Sequence, residues 1–252
     1  MTRLLLKRLS VALSGILAMA LISPLQAAEL KVIAGGSLTA LLNELTPTFE
    51  KVTGHTLSIL FDSTPNIVTR INAGTPFDVV VVPVDVFKDV PEARFMLPTI
   101  DFAHVGYGVA IRAGAPKPDI STPDALKKTL LAASSIASVP ASAAGAYVTK
   151  VFERLGIADE MKAKTKAQAG PPQIAPAVAN GEAELGVFLT NVLIAPSVEL
   201  VGPFPAELQQ ELVFIAALAA DVKEYDAAYA FIEYLATPTV TAALKARGMK
   251  PG

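Results

Sequence analysis

The sequence predicts an α/β protein of two lobes, each a mostly parallel sheet flanked by helices. Three observations carry that expectation. Leu30–Pro83 reads as strand, helix, strand, helix, strand, with apolar residues at helical spacing between short apolar runs. Phe77–Val82 is almost uninterrupted apolar sequence, as a parallel strand covered on both faces must be. The pattern then breaks near Val105 and returns near Val198–Pro205. That divides the chain into a discontinuous first lobe, 28–105 and 201–252, and a second lobe, 106–200, with two crossings that make a natural hinge.

Taken in order, Leu30–Ala34 is a buried strand, Gly35-Gly36 turns the chain, and Ser37 stands as N-cap of a helix whose inner face is Leu38, Leu41, Leu42 and Leu45. Thr46-Pro47 reads as a cap and first-turn pair that restarts this helix, and Gly54 stops it. Thr56–Phe61 is the second strand. Thr64 as N-cap with Pro65 at the first helical position opens a helix carrying Ile67, Val68 and Ile71 that ends near Gly74. Val105–Ile111 is a strand, Arg112–Ser121 a Gly/Pro-rich loop, and Thr122-Pro123 caps the helix Asp124–Ala133. Ser135–Val139 is a strand, Pro140–Gly145 a loop, and Tyr147–Leu155 a helix stopped by Gly156. Asp159–Gln168 is polar and less regular; Ile174–Asn180 is a short helix interrupted by Pro176. Leu185–Thr190 is a strand and Gly202–Pro205 a loop. Leu212–Leu218 is a strand, Tyr225–Ala236 a helix, and Thr237-Pro238 caps a last helix ending at Gly248.

Composition narrows the function. The 252 residues are 52% hydrophobic with formal net charge -2 and no Lys/Arg run, which gives no footprint for nucleic acid. Cysteine is absent, which excludes disulfides, a thiol nucleophile and a Cys-ligated metal. The two histidines, His55 and His104, have no ligating neighbour at helical or strand spacing, so no metal or other cofactor is expected. At the start of the sequence, Arg3, Lys7 and Arg8 flank a leucine-rich stretch. The apolar run Val11–Ile22 and a small-residue end at Gln26-Ala27-Ala28 follow. This reads as an export signal over 1–27 that directs the chain to the periplasm; a membrane anchor is the alternative, but the apolar run falls short of the roughly 20 residues a span needs. No later stretch reads as membrane-spanning.

Five stretches, in order, resemble the periplasmic molybdate-binding protein family, the type II solute-binding proteins of ABC importers. They are the segment from Ala34 to Gly54, the segment from Phe61 to Val82, Val139–Tyr147 with its Val-Pro opening and Gly-Ala-Tyr end, Asn180–Phe188, and Phe231–Pro251. The resemblance covers essentially the whole chain after the leader. It implies the type II periplasmic-binding-protein fold, a small anion held between two lobes, and a membrane permease as partner. It also implies the contacts: Ser37 from the first loop, Ser63 and Thr64 from the opening of the second helix, and backbone groups from the Val139–Gly145 loop, which is longer here and adds Ser142. Where the family has a tyrosine after its Gly-x-Val strand, this sequence has Leu189. Losing such a hydroxyl donor costs on the order of 1–3 kcal/mol for an oxyanion and makes room for a larger anion such as an organic carboxylate. An exported aconitate isomerase is similar to this family, so a proton-transfer isomerase of a small tricarboxylate stands as the alternative function.

Each candidate has an ordinary reading beside the functional one. Ser37 is a ligand contact or only a cap; its place after a strand and two glycines favours the ligand. Ser63 and Thr64 repeat cap chemistry seen at Thr46, Thr122 and Thr237, but at the end of a neighbouring strand. Ser142 lies among small residues that let backbone approach a ligand. Tyr147 is a ligand contact, a lid or a core residue. Asp62 and Asp85 are expected turned away from an anion, Arg70 on a solvated face, Arg112 near the cleft, and His104 structural. For an isomerase, Tyr147, His104, Asp62 and Arg112 are the residues able to serve as acid, base or carbanion stabiliser.

Overall fold

The computed structural model describes residues 27–252. The export signal expected over 1–27 therefore lies, but for its last residue, outside the described residues. The strands are β1 (Glu29–Gly35), β2 (Thr56–Asp62), β3 (Val79–Pro83), β4 (Ile100–Val105), β5 (Tyr107–Arg112), β6 (Ile136–Ser138), β7 (Thr165–Ala167), β8 (Leu185–Leu189), β9 (Val198–Pro203), β10 (Leu212–Leu218) and β11 (Met249–Pro251). The helices are α1 (Thr39–Thr53), α2 (Thr64–Asn72), α3 (Val86–Asp89), α4 (Pro123–Ala132), α5 (Ala143–Arg154), α6 (Ala158–Lys164), α7 (Ile174–Ala179), α8 (Thr190–Leu193), α9 (Tyr225–Leu235) and α10 (Pro238–Ala246).

Two sheets form, one per lobe. The first runs β11-β4-β10-β3-β1-β2 and the second β7-β6-β8-β5-β9. Both are mixed, with a larger antiparallel share than the sequence pattern predicts. Helical crossovers make β1 parallel to β2 and β3. The returning segment makes β10 antiparallel to β3 and β4, and β5 is antiparallel to both β8 and β9. The reason is connectivity: β5 and β10 enter their sheets straight from the lobe crossings, with no helix to reverse the chain.

The core explains the uninterrupted apolar β3. Val79 and Val81 face a large cluster with Leu41, Leu42 and Phe49 of α1. Val80 and Val82 face a second cluster with Ile67 and Ile71 of α2. Helices thus cover both faces of the first sheet.

Several elements depart from expectation. Ser37 does not cap α1; it sits inside a 3-10 turn, Gly36–Leu38, and makes no side-chain cap bond there. The helix α1 does not restart at Thr46-Pro47 but runs through Pro47, whose ring lies on the exposed face while Leu45 and Phe49 keep the inner stripe buried. The N-cap of α2 is Ser63, one residue before Thr64. The stretch read as one strand over Val105–Ile111 is two, β4 and β5, in different sheets and joined by Gly106, because the chain crosses lobes there. The expected loop Pro140–Gly145 already contains the start of α5. Asp159–Gln168 holds α6 and β7, and β9 and β11 have no counterpart in the expected elements.

Candidate functional site

Three element starts meet between the lobes. From the first lobe come the Gly36–Leu38 turn after β1 and Ser63-Thr64 after β2. From the second comes Ser142 with the first residues of α5. They enclose a small cavity of about 20 Å³, walled by Gly36, Ser37, Ser63, Thr64, Ser142, Ala143 and Ala144, with Pro83, Pro171, Phe188 and Leu212 as its apolar sides. Two grooves share these walls: one of about 730 Å³ toward Asn66, Pro140 and Gln168, and one of about 300 Å³ toward Thr39, Pro172 and Gln173.

The glycines sit in close quarters. A Cβ on Gly35 would lie 3.1 Å from the Phe214 ring, and one on Gly36 would lie 3.3 Å from Pro171 of the other lobe. Gly145 is more constrained: a Cβ there would sit 1.8 Å from the Val139 carbonyl oxygen. Only glycine lets α5 start this close to the end of β6, and that placement aims its first turn at the cavity.

The donors available to an anion are hydroxyls and the first N–H groups of helices, which have no partner within their own helix and carry the positive end of its dipole. Ser142 acts differently from Ser37. Its hydroxyl donates to the Val139 carbonyl at 2.8 Å, and the Gly145 N–H donates to it at 3.0 Å. A serine hydroxyl has one hydrogen, so Ser142 caps α5 and leaves Ala143 and Ala144 to present backbone N–H groups.

No lysine or arginine is among the residues walling the cavity. Asp62 is there, but its carboxylate accepts from the Ser63 N–H (2.8 Å), Asn66 Nδ2 (2.7 Å) and Arg70 Nε (2.8 Å). Partial burial pushes its carboxyl up, but the hydrogen bonds from Arg70, Asn66 and Ser63 outweigh this and hold it below the usual value. Arg70, expected on a solvated face, is thus the partner that neutralises Asp62.

Other expected candidates lie elsewhere. Tyr147 does not wall the cavity: its hydroxyl donates to the Leu208 carbonyl at 2.8 Å and its ring packs 4.7 Å from that of Tyr107. Arg112 lines a separate groove of about 590 Å³ with Lys128 and Pro116. Asp85 pairs with Lys88. His104 joins Asp101, 2.8 Å away, and Glu211, 3.3 Å away, and Glu211 in turn pairs with Lys250. Leu189 is fully buried opposite Tyr107, and the residue of β8 that reaches the cavity is Phe188. Sequence reasoning missed Phe188 and Pro171; Ala143 and Ala144 belong to the Val139–Gly145 segment, whose backbone was expected at the site.

Among the described residues no group of three or more His, Asp or Glu is arranged to hold a metal, and no helix is long and apolar enough to cross a membrane.

Comparison with known proteins gives the family and the fold. The chain is 31% identical over 242 residues to an aconitate isomerase from a Pseudomonas species, covering 91% of this chain and 92% of that protein. It is 30% identical over 251 residues to the molybdate-binding protein ModA of Azotobacter vinelandii, covering 96% of this chain and 97% of that protein. The solved Azotobacter vinelandii periplasmic molybdate-binding protein shares its fold with a TM-score of 0.74 at 23% identity, over 88% of this chain and 99% of that one. The family profile described as bacterial extracellular solute-binding protein matches residues 30–250. The chain belongs to that family.

Proposed function

We propose that the protein is the periplasmic solute-binding component of an ABC importer and that it closes its two lobes over a small anion. The observation that carries this is the meeting of three element starts from both lobes at one cavity with no side-chain cation. Ser37, Ser63 and Thr64 supply hydroxyls or N–H groups from one side. The N–H groups of Ala143 and Ala144, set by the Ser142 cap, supply the other. A solute touching both sides favours the closed arrangement by its differential affinity for it. The leader over 1–27 would deliver the chain to the periplasm, and a permease would take up the loaded form. The ligand is an oxyanion such as molybdate or an organic carboxylate. The two grooves that share the cavity walls, about 730 and 300 Å³, are of the size that ordinary small-molecule sites occupy and support the carboxylate. The test is a melting panel with molybdate, tungstate, sulfate, citrate and both aconitate isomers. A binder present at about a hundred times its Kd stabilises by about 2.7 kcal/mol. Equal melting points across the whole panel would remove the proposal.

A second reading, isomerisation of a small tricarboxylate, is favoured by the aconitate isomerase relative. It needs a base within reach of a C–H group. Asp62 is the titratable side chain at the cavity, and both its oxygens are already occupied, which favours binding over catalysis. Incubation with cis- or trans-aconitate, followed for interconversion, separates the two readings.

A further inference from the structure

Asn191 lies in α8, directly after β8 of the second lobe, and is 4% exposed. Its side-chain amide donates to the Ser37 carbonyl oxygen at 2.8 Å, reaching across to the turn that follows β1 in the first lobe. A carbonyl only accepts, so the amide nitrogen must face it. That fixes Oδ1 on the other side, where it is buried without a hydrogen-bond partner; it is the one such side-chain atom found among the described residues. A buried acceptor left unmatched costs stability, and an apolar side chain of similar shape carries no such cost. A fold selecting only for packing has no use for asparagine here. The same turn meets the second lobe again through Gly36 and Pro171, where a Cβ on Gly36 would lie a tight 3.3 Å from the Pro171 ring. The Ser37 turn is therefore clasped from the opposite lobe, and its polar clasp exists only when the lobes meet.

We propose that Asn191 is a positioning residue for solute binding. It holds the Ser37 turn in its gripping geometry and raises the population of the closed arrangement before any solute arrives. This rests on the reading that the Ser37 turn belongs to the solute site. Apparent affinity scales with the fraction of molecules already competent to bind, so loss of the clasp weakens binding without removing any solute contact.

The test exploits the absence of cysteine. Spin labels at Lys51→Cys and Lys128→Cys, exposed positions on α1 and α4, report the separation of the lobes. Asn191→Leu removes both the donor and the unmatched acceptor; Asn191→Asp keeps the shape and removes the donor. Without solute, both are expected to shift the distance distribution toward longer separations than the parent shows. Asn191→Leu is also expected to melt no lower than the parent. Affinity for whichever of two probes, molybdate or cis-aconitate, moves the parent is expected to fall roughly five- to tenfold. Distributions identical to the parent's in both variants would overturn the assignment, as would a lower melting point with unchanged distances. If neither probe moves the parent, the solute-free distances still decide for or against Asn191, and the solute reading is decided separately by the whole melting panel.

Discussion

Ser37 and Ser142 look alike in the sequence, each a serine after a strand, yet the structure gives them different work. Ser37 makes no cap bond, so Ser37→Ala is expected to leave stability within the roughly 0.5 kcal/mol typical of surface changes. It should weaken anion binding about tenfold or more, because hydrogen bonds to charged groups carry about 1.5–3 kcal/mol. Ser142 spends its hydrogen on Val139 and caps α5, so Ser142→Ala should cost about 1 kcal/mol of stability and less affinity than Ser37→Ala. Calorimetry and urea titration on the two variants check the contrast, and equal affinity losses would contradict it. Gly145 is the stricter requirement. With a Cβ placed 1.8 Å from a backbone oxygen, Gly145→Ala must move either β6 or α5. We expect a loss of at least about 2 kcal/mol in urea unfolding. At this scale the sequence exposes residue types but not where a hydroxyl hydrogen goes. Ser37, Ser63, Thr64 and Ser142 could be named from strand-turn-helix pattern and resemblance; the diversion of Ser142 to Val139 depends on how close β6 and α5 lie. The surroundings of Tyr147 are hidden for the same reason, since the carbonyl that takes its hydroxyl belongs to Leu208, sixty-one positions away.

Among elements, the join between β4, β10 and β11 is held by charge as well as by the ladder. His104 on β4 meets Asp101 on the same strand and Glu211 just before β10, and Lys250 on β11 pairs with Glu211. The hydrogen bond to Asp101 raises the His104 pKa above the usual value; partial burial opposes this and Glu211 adds to it. A histidine whose pKa is higher folded than unfolded lends stability that is complete below its unfolded value, about 6.5, and lost as pH rises through the folded one. Melting temperature is therefore expected to fall as pH is raised from about 6 through the folded value, and His104→Gln should flatten that slope. The depressed carboxylates Asp62 and Glu211 act only at far lower pH and leave this window clear. An unchanged slope in the variant would remove His104 as its source. Elements with long apolar periodicity or capped starts, such as α1, α4, β3 and α10, were legible from sequence. The edge strands β7, β9 and β11 were not, because they gain their partners from distant chain and carry little alternation of their own. The β4–β5 crossing hid inside one apolar run because Gly106 is the single mark of the change of sheet.

For the whole molecule, the decisive question is what neutralises a bound anion. The chain carries a formal net charge of -2 and so exerts no long-range pull on one. The cavity walls hold no lysine or arginine, and the nearby Asp62 charge is cancelled by Arg70. What remains is short-range: hydroxyls and the amide dipoles of turns and helix starts from both lobes, effective only at contact and only in a space that closure has emptied of solvent. Exposed charges farther apart than a Debye length, about 10 Å at 0.1 M salt, are screened, whereas buried dipole contacts are not. Affinity for the solute is therefore expected to change by less than about threefold between about 50 and about 500 mM sodium chloride, measured by calorimetry on whichever anion the melting panel selects. A fall of about tenfold or more over that range would mean that a mobile cationic side chain, with Arg70 beside the wall residue Asp62 the first to examine, reaches the anion, and that closure is driven by charge pairing instead of by converging dipoles.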